Sequence, residues 1–321
     1  MRAALPPFRL ERRHGVLWGL AVVTTVAVAM GLGAADITFL DGLDAAEWSI
    51  VSQWRAPRVV LGLVAGASLA VAGSGYQAVF RNPLADPYLL GAAAGAGLGA
   101  TMVFVLAPAA PTWAVPVFAF TGAIVAVTIA GVGGKRRGTL GLILAGIAVS
   151  AFISALQTFL LVTNSPRIAE VYSWLIGRLS TAGWAEPVAV LIYVLPAVGL
   201  LVAMRRRMDL FHLDDAELQS LGINPDRTRL LILGAATLAT AAVVAAVGLI
   251  GFVGLIIPHA SRRLVGGSYA RIVPVSAAMG AVFLVAADTF ARTAFAPAEL
   301  PVGVVTALAG APAFVYLLNK T

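Results

Sequence analysis

Residues 59–80 carry no charged side chain, and the run is bracketed by Arg55 and Arg58 before it and by Arg81-Asn82-Pro83-Leu84-Ala85-Asp86-Pro87 after it. Hydrocarbon supplies no partner for a loose backbone amide or carbonyl. An apolar segment of this length crosses it only as a helix, and the helix stops where charge and proline begin. The rest of the chain is of the same kind: 60% of residues are hydrophobic, 12% are charged, and the mean hydropathy is +0.92. A water-soluble domain has no use for so much apolar surface.

A window of about 20 residues spans roughly 30 Å of hydrocarbon at 1.5 Å per residue. It finds apolar runs at 16–34, 59–80, 88–107, 115–133, 140–162, 187–204, 230–249, 251–265, 272–291 and 301–318. The fold class expected is an all-α integral membrane protein of about ten transmembrane helices. It reads as a single domain over 1–321 with a polar insert at about 205–229. The run at 251–265 is short and follows its predecessor almost without a break. The first run follows Arg2, Arg9, Arg12 and Arg13 in the manner of a signal peptide, but its apolar stretch is longer than such a peptide uses, so it reads as a retained helix.

Charge placement sets the orientation. Of the 22 Lys and Arg, only Arg55, Arg58, Arg167, Arg178 and Arg292 fall on the side opposite the amino terminus, together with the acidic residues from Asp36 to Glu47. Cytoplasmic loops retain Lys and Arg, so both termini are predicted to be cytoplasmic. The net charge of +7 does not signal a nucleic-acid partner, because the basic residues sit in short clusters between apolar runs instead of covering one broad face.

Small residues recur every fourth position, as Gly62, Gly66, Ala70 and Ser74 in the second run and Gly91, Gly95 and Gly99 in the third. Such stripes let backbones approach closely where lipid gives no hydrophobic drive for association. Gly95-Ala96-Gly97-Leu98-Gly99 lacks the preceding strand and downstream acid of a dinucleotide site, and reads as helix packing. No catalytic or metal-binding set emerges. There are no cysteines, and His14, His212 and His259 are scattered. Gly133-Gly134-Lys135-Arg136 has neither the spacing nor the hydroxyl of a phosphate loop. Asp288 lies close to Arg292 at the outer end of its run and is expected to pair there, which leaves no carboxylate at mid-membrane for proton coupling. Energy for uphill transport would have to come through another chain.

The insert has its own signals. Asp214 followed by Glu217 forms a capping box for a short helix ending at Gly222, and Asn224-Pro225 starts a second short one. Leu218, Leu221 and Ile223 near the tip suit a docking surface beneath the membrane better than a plain solvated loop.

These segments, taken in order, resemble a known family. Arg55-Ala-Pro-Arg58, Phe80-Arg-Asn-Pro-Leu-Ala-Asp-Pro-Tyr-Leu-Leu-Gly91, Leu142-Ile-Leu-Ala-Gly-Ile147, Trp174-Leu-Ile-Gly177, Gly248-Leu-Ile-Gly-Phe-Val-Gly-Leu-Ile-Ile-Pro-His259, Ala286-Ala-Asp288 and Glu299-Leu-Pro-Val-Gly303 run from the second span to the end. They are similar to permeases of the type II ATP-binding-cassette importers that take up iron-siderophore complexes, haem and vitamin B12. The resemblance implies a passive permease that pairs with a second copy or paralogue around a central pathway. It also implies cytosolic ATP-binding-cassette subunits that carry ATP and Mg, and an extracytoplasmic substrate-binding protein in the bacterial cytoplasmic membrane system. Arg55, Arg58 and Arg292 match the arginines that meet that binding protein. Glu217, Leu218, Leu221 and Gly222 match the part that couples to the ATPase, and Gly138 and Thr139 match the inner gate, although Lys135-Arg136-Arg137 is more basic than the family pattern. No cofactor is implied on this chain, and His259 after Pro258 reads as structural, a backbone cap instead of a ligand.

Overall fold

The computed structural model describes residues 12–33, 44–134, 138–179, 183–296 and 298–319. Helices begin where the sequence satisfies their loose amides. Helix α1 is Arg12–Gly31. Helix α2, Ala45–Ile50, opens on a reciprocal capping box in which Glu47 N donates to Asp44 and Asp44 N donates to Glu47. A single π turn, Val51–Arg55, then leads without interruption into α3, Ala56–Phe80. The helical stretch from Ala45 to Phe80 is 36 residues long, about 54 Å at 1.5 Å per residue. It outruns the hydrocarbon, and Arg55 and Arg58 lie within it instead of at its start. The Asp44-x-x-Glu47 pattern is the signal that marks this earlier beginning.

At the other end Arg81 caps α3 in the left-handed region at φ 51. Asp86 accepts from Tyr88 N at 2.8 Å to start the 3-10 turn Pro87–Leu90. Gly91 at φ 86, a conformation that needs the missing Cβ, turns the chain into α4, Ala92–Leu106. Next come α5, Ala114–Gly134, and α6, Gly138–Thr163. They are followed by the short amphipathic α7, Ile168–Leu175, and by α8, Ala185–Met208. The insert carries the six-residue α9, Asp215–Ser220. Then follow α10, Pro225–Val247, α11, Val253–Val265, α12, Tyr269–Thr293, and α13, Val302–Asn319.

Every predicted apolar run falls on a helix, and six described helices are long and apolar enough to cross a membrane unaided, with shorter apolar helices at Leu17–Gly31, Ala92–Leu106 and Val302–Leu317. The eighth run departs from expectation. Helix α11 has 13 residues, about 20 Å, too short to cross about 30 Å of hydrocarbon. It meets α10 at a non-helical joint, 248–252, with Gly248 at φ 73 and Phe252 at φ 69. The joint is packed against protein, with Gly248 and Ile250 buried, and is satisfied there. Tyr88 Oη donates to Ile250 O at 3.1 Å and accepts from Ile250 N at 3.3 Å, and Arg178 N donates to Val247 O at 2.8 Å. Irregular backbone at membrane depth persists only under such cover.

The second apolar span, α3, is the axis of the bundle, 78% buried over its apolar window. It packs on α12 through the predicted stripe. A Cβ on Gly66 would stand 2.2 Å from Gly280 O, and one on Gly280 would stand 2.3 Å from Gly66 O, so only a pair of glycines permits this crossing. Gly95 of α4 and Gly122 of α5 make a similar contact at 2.2 Å. Gly91 belongs to the turn instead of this stripe. Helices α5 and α6 are only 22% and 17% buried over their apolar windows, with Phe152, Phe159 and Val162 of α6 exposed. That is the pattern of surfaces that meet lipid or another apolar chain.

Candidate functional site

The outer end, as oriented by the charge rule, gathers side chains from four parts of the chain. Arg58 on α3 donates through Nε and Nη2 to Asp288 on α12 at 2.8–3.1 Å, and through Nη1 to both carboxylate oxygens of Glu299 at 2.9 and 3.1 Å. Arg292, one turn along α12, lies 3.8 Å from Asp288 and donates to Ala29 O of α1. Arg55 donates to Met30 O at 2.8 Å and Gly31 O at 3.0 Å. Two guanidinium groups thus cap the carboxyl end of α1, where unpaired carbonyls and the helix dipole both favour positive charge.

The three arginines grouped in sequence as contacts for a binding protein differ in exposure. Arg55 is 5% exposed and Arg292 4%, covered by α1, and Arg58 reaches the surface with 15% of its side chain. Asp288 does neighbour Arg292 as expected, but its strong bonds go to Arg58. Glu299, which joins the cluster from the connection to α13, was matched only as part of a motif. Nothing in the local sequence reveals that it closes on a residue 241 positions earlier. A separate cavity of about 350 Å³ opens between α4, α5, α7, α8 and α10, with Phe104, Trp174, Glu170, Arg178 and Glu186 in its lining.

The inner end is built around α9. The predicted capping box is present, with Glu217 N donating to Asp214 at 2.8 Å and Asp214 N to Glu217 at 2.9 Å. The helix closes in a Schellman motif, Ile223 N to Leu218 O at 3.0 Å and Gly222 N to Gln219 O at 2.9 Å, with Gly222 at φ 74. Asp215 braces α9 to two spans. It accepts from Arg229 at the start of α10 at 2.6 and 2.9 Å and lies 3.5 Å from Arg81 at the end of α3. Hydrogen bonding from Arg229, then the positive fields of Arg229 and Arg81, hold its carboxyl below the usual range.

Two expectations for the insert need correction. The segment from Asn224 is capped as predicted, with Arg227 N donating to Asn224 at 3.0 Å, but it is the first turn of α10 and not a second free helix. Of the four predicted coupling residues, Glu217, Leu221 and Gly222 are exposed, whereas Leu218 is 2% exposed and packs into the main core with Phe211 and Ile232. An apolar residue on a short amphipathic helix seeks the nearest core, and here that core belongs to its own chain.

At the predicted inner gate, Gly138 opens α6 at φ 59, and no atom of the described residues lies within 4 Å of where a Cβ would stand. Residues 135–137 and the Thr139 side chain lie outside the description. His259 is 5% exposed on α11, and neither ring nitrogen has a hydrogen-bond partner among the described residues, so the expected backbone cap is not formed. Among the described residues no group of His, Asp and Glu is placed to hold a metal ion.

Comparison with known proteins follows the same outline. The model of the FecCD transport family matches residues 20–320. The chain is 41% identical over 289 residues to the cobalamin import system permease protein BtuC of Halobacterium salinarum, covering 89% of this chain and 77% of that protein. It is 37% identical over 310 residues to the Fe(3+)-citrate import system permease protein YfmE of Bacillus subtilis, covering 94% and 93%. It is 35% identical over 323 residues to the hemin transport system permease protein HmuU of Yersinia pestis, covering 95% and 96%. Among solved structures, an inward-facing ABC transporter of the metal-chelate type superposes with a TM-score of 0.91 at 28% identity, covering 97% of this chain and all of that one.

Proposed function

This chain belongs to the FecCD transport family, and from that premise we propose that it is the permease subunit of an ATP-driven importer in a bacterial cytoplasmic membrane. Its cargo is a metal chelate, an iron-siderophore complex ahead of vitamin B12 or haem, the classes named among its relatives. The chelate crosses without chemical change. ATP and Mg belong to cytosolic cassette subunits, and a substrate-binding protein delivers the cargo at the outer face.

The observation that carries this reading is α9. A six-residue helix with an exposed lower face has no internal reason to be braced by Asp215 to the ends of two spans. Brought against an ATPase, that brace passes a push at α9 directly to α3 and α10. ATP then drives transport only to the extent that the closed cassettes favour one permease conformation over the other. Gly138 and Thr139 stand as the inner gate in this scheme. The cavity of about 350 Å³ supports a paired arrangement, since it lies at the small end of ligand-sized pockets. A bulky chelate needs a wider path, which a second copy or paralogue set against the exposed face of α6 would complete.

Reconstitution tests the proposal. Vesicles holding the permease, its ATPase and the binding protein should accumulate radiolabelled ferric siderophore only with ATP inside. Accumulation by the permease alone would overturn it.

A further inference from the structure

Arg58 presents two edges, and the chain holds them differently. The Nε and Nη2 edge grips Asp288, whose side chain is 4% exposed and rooted in α12 with Arg292 at 3.8 Å on its far side. The Nη1 edge is held by Glu299, whose side chain is 44% exposed and lies in the connection between α12 and α13. Unpairing the first contact would strand a buried carboxylate, which is costly. Unpairing the second releases two groups that water can solvate, and exposed pairs of this kind contribute little to stability. The inner edge is therefore fixed and the outer edge exchangeable. Arg55 and Arg292 donate to carbonyls of α1, and among the described residues Arg58 Nη1 is directed to a solvent-reaching carboxylate.

We propose that Glu299 is a built-in stand-in for a carboxylate of the docking protein. It occupies Nη1 of Arg58 in the free permease and gives way when an acidic side chain of the partner arrives. Asp288 keeps the guanidinium plane aimed throughout. This rests on the reading that a substrate-binding protein docks at the outer arginines. One charge pair replaces another, so the exchange fixes orientation while adding little net affinity, as suits a partner that must leave after each delivery. Glu299 sets that affinity below what Arg58 could otherwise provide.

Affinity of the purified substrate-binding protein for the complete transporter in lipid nanodiscs decides the matter, measured for the parent, Arg58→Gln, Glu299→Gln and the double variant. Glu299→Gln keeps the size of the side chain and removes the competing charge, so it should tighten binding about two- to fivefold, the scale of an exposed pair. Arg58→Gln should weaken binding, and in its background Glu299→Gln should have no effect. If Arg58→Gln weakens binding while Glu299→Gln leaves it unchanged or weaker, the stand-in fails and docking at Arg58 survives. Equal tightening by Glu299→Gln in both backgrounds would assign the effect to the general field and overturn the exchange. Unchanged affinity in Arg58→Gln would remove the docking role of Arg58 and the stand-in with it.

Discussion

Leu218 on α9 and Leu221 at its C-cap lie three positions apart, yet one is 2% exposed and the other 60%. Their substitutions should therefore fail in different ways. Leu218→Asp buries an unpaired charge among Phe211 and Ile232, one of the few changes severe enough to prevent folding outright. Leu221→Asp places the same charge in water and should leave thermal stability within about 0.5 kcal/mol. It should cost at least about tenfold in affinity for the ATPase, because a charge in the centre of an apolar contact must be desolvated on docking. Melting curves and co-purification separate the two. A Leu221→Asp permease that holds its ATPase normally would remove α9 from the coupling surface. The sequence shows both leucines as apolar residues near the tip of the insert, and it cannot say which one turns inward, because that depends on Phe211 and α10 closing over the helix. The outer arginines pose the same problem. Charge bias groups Arg55 and Arg292 with Arg58, but the partners of the three include the last carbonyls of α1 and a carboxylate more than two hundred positions from Arg58, and neither leaves a local trace.

The starts of the two capped segments of the insert were legible, although the second is the first turn of α10 and the Asp44–Glu47 box that opens α2 was not read. Asp214 with Glu217 and Asn224 with Pro225 start helices at the residues expected of them. The joint at 248–252 was not, since its shape depends on Tyr88, Arg178 and the glycine contacts around Gly177 and Gly303 rather than on its own residues. The turn that supplies Tyr88 makes a pH prediction possible. Asp86 caps Pro87–Leu90, and burial pushes its carboxyl up to about 6, against the hydrogen bond from Tyr88 N that pulls the other way. The folded pKa exceeds the unfolded value, so as pH rises from about 4 the unfolded chain gives up its proton first and stability falls until pH passes about 6, then levels. Asparagine caps as well as aspartate and does not titrate. Asp86→Asn should therefore match the parent near pH 4 and exceed its melting temperature at pH 7.5, by about 2–4 °C for each kcal/mol of ionisation penalty removed. Melts in detergent across this range check it. A difference between the two proteins that does not vary with pH would show that Asp86 is already solvated.

At the scale of the whole molecule, topology follows from two independent patterns that agree. Apolar period and length put the spans on helices, and the bias of Lys and Arg predicts that the end with α9, Arg227, Arg262 and Arg263 is cytoplasmic and the end with Arg58, Asp288 and Glu299 is not. The agreement was reachable from sequence because lipid imposes the same rule on every crossing. The short α11 was the exception, since protein and not lipid surrounds the joint that precedes it. With no cysteines in the chain, single introduced thiols report sidedness against a silent background. Ser220 is the last residue of α9, and Ala109 lies in the connection between α4 and α5, both exposed and both tolerant of a small side chain. In right-side-out vesicles a membrane-impermeant maleimide should label Ala109→Cys at once and Ser220→Cys only after the membrane is opened, and inside-out vesicles should reverse the order. The opposite pattern would put α9 outside, where no nucleotide is available. The brace through Asp215 could then have nothing to transmit, and an ATP-driven mechanism would fail on geometry alone.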